Sequence, residues 1–392
     1  MNQLDLFNEG EIDLGTFFSR LDECRDKNPL SHSLHPYPAK YIPHIPRALI
    51  RAMSEPGATV ADPMCGSGTT LIEASLLGRP STGNDCNPIA VLAATAKTAL
   101  LTREDEGVLE SMVRWSAREA SACAGDPARA TKVQPPSTWP TFRNRAMWFA
   151  DDAAAELTLI RAACRDLRES PARTVALAAF SAIIVASSFQ ESETRWRSIP
   201  REVKPGEVFR RFSVRLGENL QRLRDYAREG PAIVRVSQGN AQRLPWNDRS
   251  VDLVVSSPPY ANSHDYYLYH KLRLFWLDED VHSVQRTEIG SRHRHSDLKE
   301  DIGVYLSDMR EVMRETARVL RPNGKAAYVV ADSVIRGVHH DMGIAFRAIA
   351  GEVGLSCIAT YTFDHKRFTS AFTRSFGTNR TKLTHVVCLA RQ

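Results

Sequence analysis

An α/β fold, built on a mostly parallel sheet and interrupted by one long helical segment, is what this sequence predicts. Three observations predict it. Short apolar runs at 58–62, 81–85, 232–237, 251–256, 325–331, 356–363 and 385–389 have the length and composition of strands. The first two alternate with helical patterns, a β-α-β-α start. The alternation then lapses over 101–230, where the pattern is helical and no run makes a convincing strand. With 392 residues, 43% of them hydrophobic, the chain has room for one large domain carrying an insertion. The expected division is therefore 1–100 and 231–392 as the two parts of the sheet domain, with 101–230 as the helical insertion.

Taken in order, residues 1–30 are polar and expected at the periphery, and nothing there resembles a secretory signal. Residues 31–47 hold four prolines, three histidines and two tyrosines, an extended run. A short helix is expected over 48–54, then the strand at 58–62, a Gly-rich loop and a helix to 77. A second strand ends at Asp85, and Pro88 opens the next helix. Inside the insertion, Pro135, Pro136 and Pro140 mark a loop. The uncharged stretch 174–189 falls short of the ~20 residues that span a bilayer, so a buried helix is expected and no membrane contact. Seven widely spaced cysteines without a CxxC suit reduced thiols in a cytoplasmic protein and exclude a disulfide framework. A helix is expected over 305–320 before the strand at 325–331.

Two constellations carry chemistry. The first is Asp62-Pro63-Met64-Cys65-Gly66-Ser67-Gly68-Thr69-Thr70, an apolar strand running into a two-glycine loop and a helix. Glycines let a backbone approach a ligand closely, and a helix start offers unpaired amides. Asp85 ends the next strand, 23 residues after Asp62, a spacing that suits an acid on a ribose hydroxyl. The loop lacks both the full GxGxxG of dinucleotide enzymes and the GK[ST] of phosphate loops. The second is Ser257-Pro258-Pro259-Tyr260 at the end of the strand 251–256. Paired prolines hold the chain stiffly and present carbonyls, with a hydroxyl before and a ring after. Such a set suits a flat base bearing an amino group.

DPMCGSGTT followed later by SSPPY resembles the S-adenosylmethionine-dependent amino-methyltransferases of DNA. The SPPY form resembles the cytosine-N4 branch, whereas DPPY or NPPY is more usual in the adenine-N6 branch. HPYPAKYIPHIPRALI resembles the family segment that closes over the methionine part of the cofactor. The resemblance covers about 1–100 and 231–392 and implies a Rossmann-like class I methyltransferase fold with an antiparallel C-terminal strand. It implies S-adenosylmethionine as cofactor and double-stranded DNA as partner. It also implies a bacterial restriction-modification or defence setting with a cognate endonuclease, and a location at the nucleoid.

Carried over residue by residue, Asp62, Pro63, Cys65, Gly66, Gly68 and Thr69 border the cofactor, and Asp85 holds its ribose. Asn87 lies beside the adenine, as do Asn240 and Ala241, while Tyr37 and Lys40 sit near the methionine moiety. Ser257, Pro258, Pro259 and Tyr260 hold an extruded base, and Tyr266, Tyr267 and Tyr269 fit either its pocket or a core helix face. Cys65 is expected to pack rather than attack, since the partner motif for ring-carbon methylation is missing.

The net charge of only +5 permits nucleic acid without demanding it. Segment 101–190 is neutral, with eleven basic and eleven acidic residues. Basic residues interleave with aromatics elsewhere. Lys366, Arg367, Arg374 and Arg380 lie among phenylalanines in 363–382, Arg292 and Arg294 follow SPPY, and Arg195 and Arg197 fall in 191–215 with Trp196, Phe209 and Phe212. These are the expected DNA contacts. His293, His295, His339 and His340 make no convincing metal set, and no metal is expected. Adenine-N6 transfer, RNA guanine-amine transfer and a catalytically silent cofactor- and DNA-binding subunit stay open as alternatives, as does monomer against homodimer.

Overall fold

The apolar runs pair into one sheet whose central strands are buried on both faces, while its edge strands are partly exposed. The computed structural model of the protein describes residues 12–21, 24, 30–364 and 383–392. Its strands are β1 (Val60–Asp62), β2 (Ser81–Asp85), β3 (Gln190–Ser192), β4 (Arg195–Ser198), β5 (Val234–Gln238) and β6 (Val251–Ser256), then β7 (Leu320–Ala331), β8 (Ser333–Ile335), β9 (Val338–His340), β10 (Leu355–Asp364) and β11 (Leu383–Arg391). Seven form one sheet in the order β10-β11-β7-β6-β1-β2-β5. β1 pairs in parallel with β2 and β6, β2 with β5, and β6 with β7. Within this sheet β11 runs antiparallel to both its neighbours, β7 and β10. This is the Rossmann-like methyltransferase arrangement that the resemblance implied.

Helices cover both faces. On one face lie α1 (Leu14–Ser19), α2 (His44–Met53) and α3 (Thr69–Leu76), packed through Phe17, Leu49 and Ala74 on Val255 and Val329. The other face carries α14 (Ile302–Val319) and α15 (Met342–Glu352), whose Met309, Val312 and Phe346 meet Val254, Tyr328 and Val330. Alternate residues of β6 and β7 thus serve opposite layers, as strand geometry requires.

The middle of the chain folds as α4 (Pro88–Lys97), α5 (Arg103–Gly125), α6 (Arg129–Val133), α7 (Asp151–Asp166), α8 (Pro171–Ile184) and α9 (Glu207–Arg228). Its apolar cluster, centred on Leu109, Leu157, Phe180, Phe209 and Phe212, also takes in Leu34, Leu272 and Trp276 from outside 101–230. Glu156 caps α9 from within this cluster, accepting from the amides of Gly206, Val208 and Phe209. Four short helices fill the stretch after SPPY: α10 (Tyr266–Tyr269), α11 (Lys271–Trp276), α12 (Val281–Thr287) and α13 (Arg292–Ser296).

The structure corrects three expectations. Leu14, Phe17, Phe18 and Leu21 are buried on the sheet, so this part of 1–30 is core rather than periphery. Phe18 stacks on Phe363 of β10 with centroids 5.6 Å apart. The segment 101–230 does contain strands, the hairpin β3–β4, whose three and four residues are too few to show a period. Phe209 and Phe212 are fully buried and not available to nucleic acid, because they form the apolar face of α9. Stretch 174–189 is a buried helix as expected as far as Ile184, where α8 ends and a turn follows, and no helix among the described residues is long and apolar enough to cross a membrane.

Candidate active site

Parallel strands leave a crevice at their carboxyl ends, and the two sequence constellations meet there. Asp62 ends β1, Asp85 ends β2 and Ser257 follows β6. Two side-chain contacts fix this register. Ser256 Oγ donates to Asp62 Oδ1 at 2.7 Å, and Thr70 Oγ1 donates to the Val255 carbonyl at 3.3 Å. The glycine loop is shaped by its neighbours. Gly66 and Gly68 have φ of +49° and +84°, the left-handed region that side chains avoid. A Cβ on Gly68 would lie 3.0 Å from Ala94 Cβ and 3.1 Å from Ala94 Cα, so α3 approaches α4 only over glycine.

The run expected to be extended over 31–47 instead opens with a 3-10 turn (Leu30–Ser33) and enters α2 at His44; the stretch between, with its three prolines, crosses this crevice as a strap. Its anchor is a buried trio in which His32 Nε2 lies 2.7 Å from Glu73 Oε1 and Arg47 Nε donates to Glu73 Oε2 at 2.5 Å. His32 and Arg47 together hold the Glu73 carboxyl below the ordinary range despite its burial. Lys40 Nζ donates back to the His32 carbonyl at 3.0 Å. Tyr37 packs against Tyr266 and His270, with centroids 5.9 and 4.9 Å away.

Strap and strand ends enclose two adjoining cavities. The first, about 860 Å³, is lined by Tyr37, Lys40, Asp62, Pro63, Cys65, Gly66, Thr69, Asp85, Asn87, Asn240 and Ala241, eleven of the twelve residues expected at the cofactor. Gly68 sits one step behind, against α4. The second, about 1050 Å³, is lined by Pro258, Tyr260, Tyr266, His264, Ile42, Ile45, Val329, Ala331 and Phe363 among others. Ala39, Lys40, Tyr41, Ser257 and Tyr266 border both. The four residues of SPPY thus divide: Ser257 borders both cavities, Pro259 the first, and Pro258 and Tyr260 the second. Tyr305 Oη donates to the Pro259 carbonyl at 3.0 Å, and the hydroxyls of Ser257 and Tyr260 lie 3.4 Å apart. Tyr267 packs instead in a small apolar cluster with Ile89 and Leu274.

The first cavity is acidic. Asp85 accepts from the amides of Gly66 and Asn87, both at 2.9 Å, yet burial pushes its carboxyl up to about 6. Burial likewise raises Asp62 to about 6, against the pull of its hydrogen bonds. Glu288, on the stretch closing the cavity after α12, is raised to about 8 by burial. Lys40 supplies a cation on this wall, lowered by burial to about 8. Asn87 Oδ1 caps α4 through the Ile89 amide, while its buried Nδ2 has no partner among the described residues. These features fit a nucleoside ligand that carries positive charge: carboxyls for hydroxyls and for a cation, and an unused amide donor for a ring acceptor. S-adenosylmethionine is such a molecule, and the residues present suit it. The Cys65 thiol is buried and pushed far up, so it is no nucleophile.

The expected DNA contacts divide. Arg195 and Arg197 are exposed on β4, and Arg292 is exposed at the start of α13. Arg294 is committed inside the molecule, donating to Glu300 at 2.8 Å and Asp308 at 2.7 Å, which pins the α13 segment to α14. Lys366, Arg367, Arg374 and Arg380 lie outside the described residues. Sequence reasoning missed Glu288 and Thr287 in the cavity wall, since no motif surrounds them, and did not single out Tyr41 within the strap segment. Beyond the cavities, Asp332, Asp341 and His385 lie close together; Asp332 accepts from the Met342 amide at 3.2 Å and lies 2.9 Å from His385 Nε2, a bonded network that ties β7, β11 and α15.

Residues 8–95 match the family model described as DNA methylase. The Type II methyltransferase M.MvaI of Kocuria varians is 24% identical over 359 residues, covering 78% of this chain and 78% of its own length. The Type II methyltransferase M.MjaII of Methanocaldococcus jannaschii is 32% identical over 87 residues, 22% of this chain and 16% of that protein. Among solved structures, TrmN from Thermus thermophilus aligns with 11% identity and a TM-score of 0.33 over 90% of this chain, which spans 49% of TrmN.

Proposed function

We propose that the chain is a DNA amino-methyltransferase whose methyl donor is S-adenosylmethionine, and that it methylates the exocyclic N4 amine of a flipped cytosine in duplex DNA, a reading supported by the DNA methylase match over 8–95 and the likeness to M.MvaI. The observation that carries this reading is the position of Ser257 on the wall shared by the two cavities, with Tyr260 and Pro258 facing the second. When bound, the donor supplies a methyl group on a sulfonium, which departs as a thioether. The chain's own residues do the rest. Asp85, Asn87, Tyr37 and Lys40 hold the nucleoside and amino-acid ends. Ser257 Oγ and the Pro258 carbonyl accept the amine hydrogens of the target. That contact favours a pyramidal nitrogen and stabilises the positive charge developing on it. Tyr260 stacks on the base, and the apolar second cavity keeps water from the reacting atoms. The Ser256–Asp62 bond keeps SPPY in register with the cofactor loop, so positioning supplies much of the acceleration.

The choice of cytosine over adenine rests on the serine of SPPY. Arg195, Arg197 and Arg292 would contact phosphates, and the setting would be a bacterial restriction-modification or defence pair in the cytoplasm. The test is to incubate the protein with labelled methyl donor and unmethylated DNA, then resolve the digested nucleosides by mass spectrometry. N4-methyldeoxycytidine is expected, with Ser257→Ala and Tyr260→Ala reducing its yield at least ~100-fold. N6-methyldeoxyadenosine would assign the other base, label only in RNA would remove DNA as substrate, and full activity in Ser257→Ala would remove the mechanism.

A further inference from the structure

Among the described residues, Glu288 is the carboxyl on the first cavity that no motif announces. It follows α12 directly, in the short stretch before α13, and, with Val284 and Thr287 of α12 and Ile289, lines the same cavity as the glycine loop. Its side chain is only 5% exposed. Oε1 accepts the Tyr266 amide at 2.6 Å and Oε2 accepts the Tyr267 amide at 3.3 Å, which ties the stretch to α10. A carboxyl offers about four hydrogen-bonding positions, all acceptors when ionised and one a donor while it holds its proton, so each oxygen keeps one for a ligand. Cys86, next to Asp85, is hydrogen-bonded by Thr287, and Glu288 and Asp85 are near enough to feel each other's charge. Two carboxyls from elements some two hundred residues apart in the chain therefore converge on one end of the cavity, the end that Asp85 and Asn87 mark as the nucleoside end. A purely apolar closing stretch would exclude water without setting a carboxyl there.

We infer that Glu288 is a second ribose-binding residue, so that Asp85 and Glu288 clamp the cis-diol of the cofactor between them, one hydroxyl each. The assignment rests on the proposed cofactor reading. It makes the stretch 281–289 a closing piece whose seat depends on an intact ribose, and it gives the cavity a way to reject nucleosides lacking either hydroxyl.

Calorimetry with S-adenosylhomocysteine and its 2′-deoxy and 3′-deoxy analogues tests it. At pH 9, above the values of both carboxyls, each deletion is expected to weaken binding by the wild-type protein ~10- to 100-fold, the worth of a charge-assisted hydrogen bond. In Glu288→Gln one of the two penalties falls below threefold while the other persists, and Asp85→Asn gives the reverse pattern. Glu288→Asp, which keeps the charge at shorter reach, shows an intermediate penalty. Equal binding of all three ligands by the wild type overturns the clamp and leaves the cofactor reading intact. Both penalties unchanged in Glu288→Gln overturn it as well, reducing Glu288 to a cap on α10. No binding of S-adenosylhomocysteine at all would remove the cofactor reading beneath it.

Discussion

Gly68→Ala is the sharpest test of how the cofactor loop is built, and Gly57→Ala is its control. Both glycines hold the left-handed conformation, with φ of +84° and +82°. An L-residue there costs ~1–2 kcal/mol. The two differ in surroundings. A Cβ on Gly57 meets nothing within 4 Å, whereas one on Gly68 lies 3.0 and 3.1 Å from Ala94 Cβ and Cα. Ala94 belongs to the middle of α4 and is fully buried, so it cannot step aside without moving the helix. Overpacking of this kind costs ~1–3 kcal/mol. Gly57→Ala should therefore lose ~1–2 kcal/mol and Gly68→Ala ~2–5 kcal/mol. The reduced freedom of the unfolded chain enters both variants alike and cancels in the difference. Urea denaturation with m held constant measures the two values. Titration of S-adenosylhomocysteine adds a functional readout, since pushing α3 from α4 shifts Cys65 and Gly66 with it; a loss of at least tenfold is expected in Gly68→Ala and little in Gly57→Ala. Equal destabilisation of the two variants, within ~0.5 kcal/mol, would refute the close-approach argument.

The buried carboxyls and the surface arginines give two further expectations. In the ligand-free protein Asp62 and Asp85 titrate near 6 and Glu288 near 8, all raised by burial. Groups raised in the folded state stabilise it fully below their unfolded values and lose that contribution as pH climbs through the folded ones. His32, His35 and His270, lowered by burial, push stability the other way over the lower part of this window, so the readable quantity is the urea midpoint of the wild type relative to Glu288→Gln, which should fall between pH 5 and 8. A difference that stays level across pH 5–8 would contradict the burial of Glu288 as an ionisable group. On DNA, Arg195→Ala/Arg197→Ala should reduce the slope of log affinity against log salt by up to about 2, roughly one for each phosphate no longer neutralised. Arg294→Ala should leave that slope alone and cost ~1–3 kcal/mol of stability, because it strands Glu300 and Asp308. An unchanged slope in the double variant would remove β4 from the DNA face.

The sheet was legible because its central strands are buried on both sides and so write themselves as continuous apolar runs; 251–256 coincides with β6 and 81–85 with β2. The cofactor wall was legible where short spacing carries it, as in Asp62 to Thr69, since a strand, a tight turn and a helix start must follow one another in sequence. What escaped was set by long-range contact. Phe17 and Phe18 sit in a polar N-terminal stretch and show their burial only once β10 lies beneath them. Glu288 reaches the cavity through four short helices, none long enough to leave a period in the sequence. Arg294 looked like a surface cation because its partners lie beyond its own helix, Glu300 in the link to α14 and Asp308 on α14.

The shared core of the middle segment bears on how this protein can be re-engineered. Leu34 lies on the strap, while Leu272 and Trp276 follow Ser257-Pro258-Pro259-Tyr260, and all three are built into the cluster of α5–α9. Excising 101–230, or exchanging it for the matching stretch of a relative, would strip cover from both walls of the reaction chamber at once. A graft meant to alter which sites are modified would therefore have to carry those three positions with it as co-varying partners. A chimera designed on sequence boundaries alone should accumulate in inclusion bodies rather than fold with a new preference.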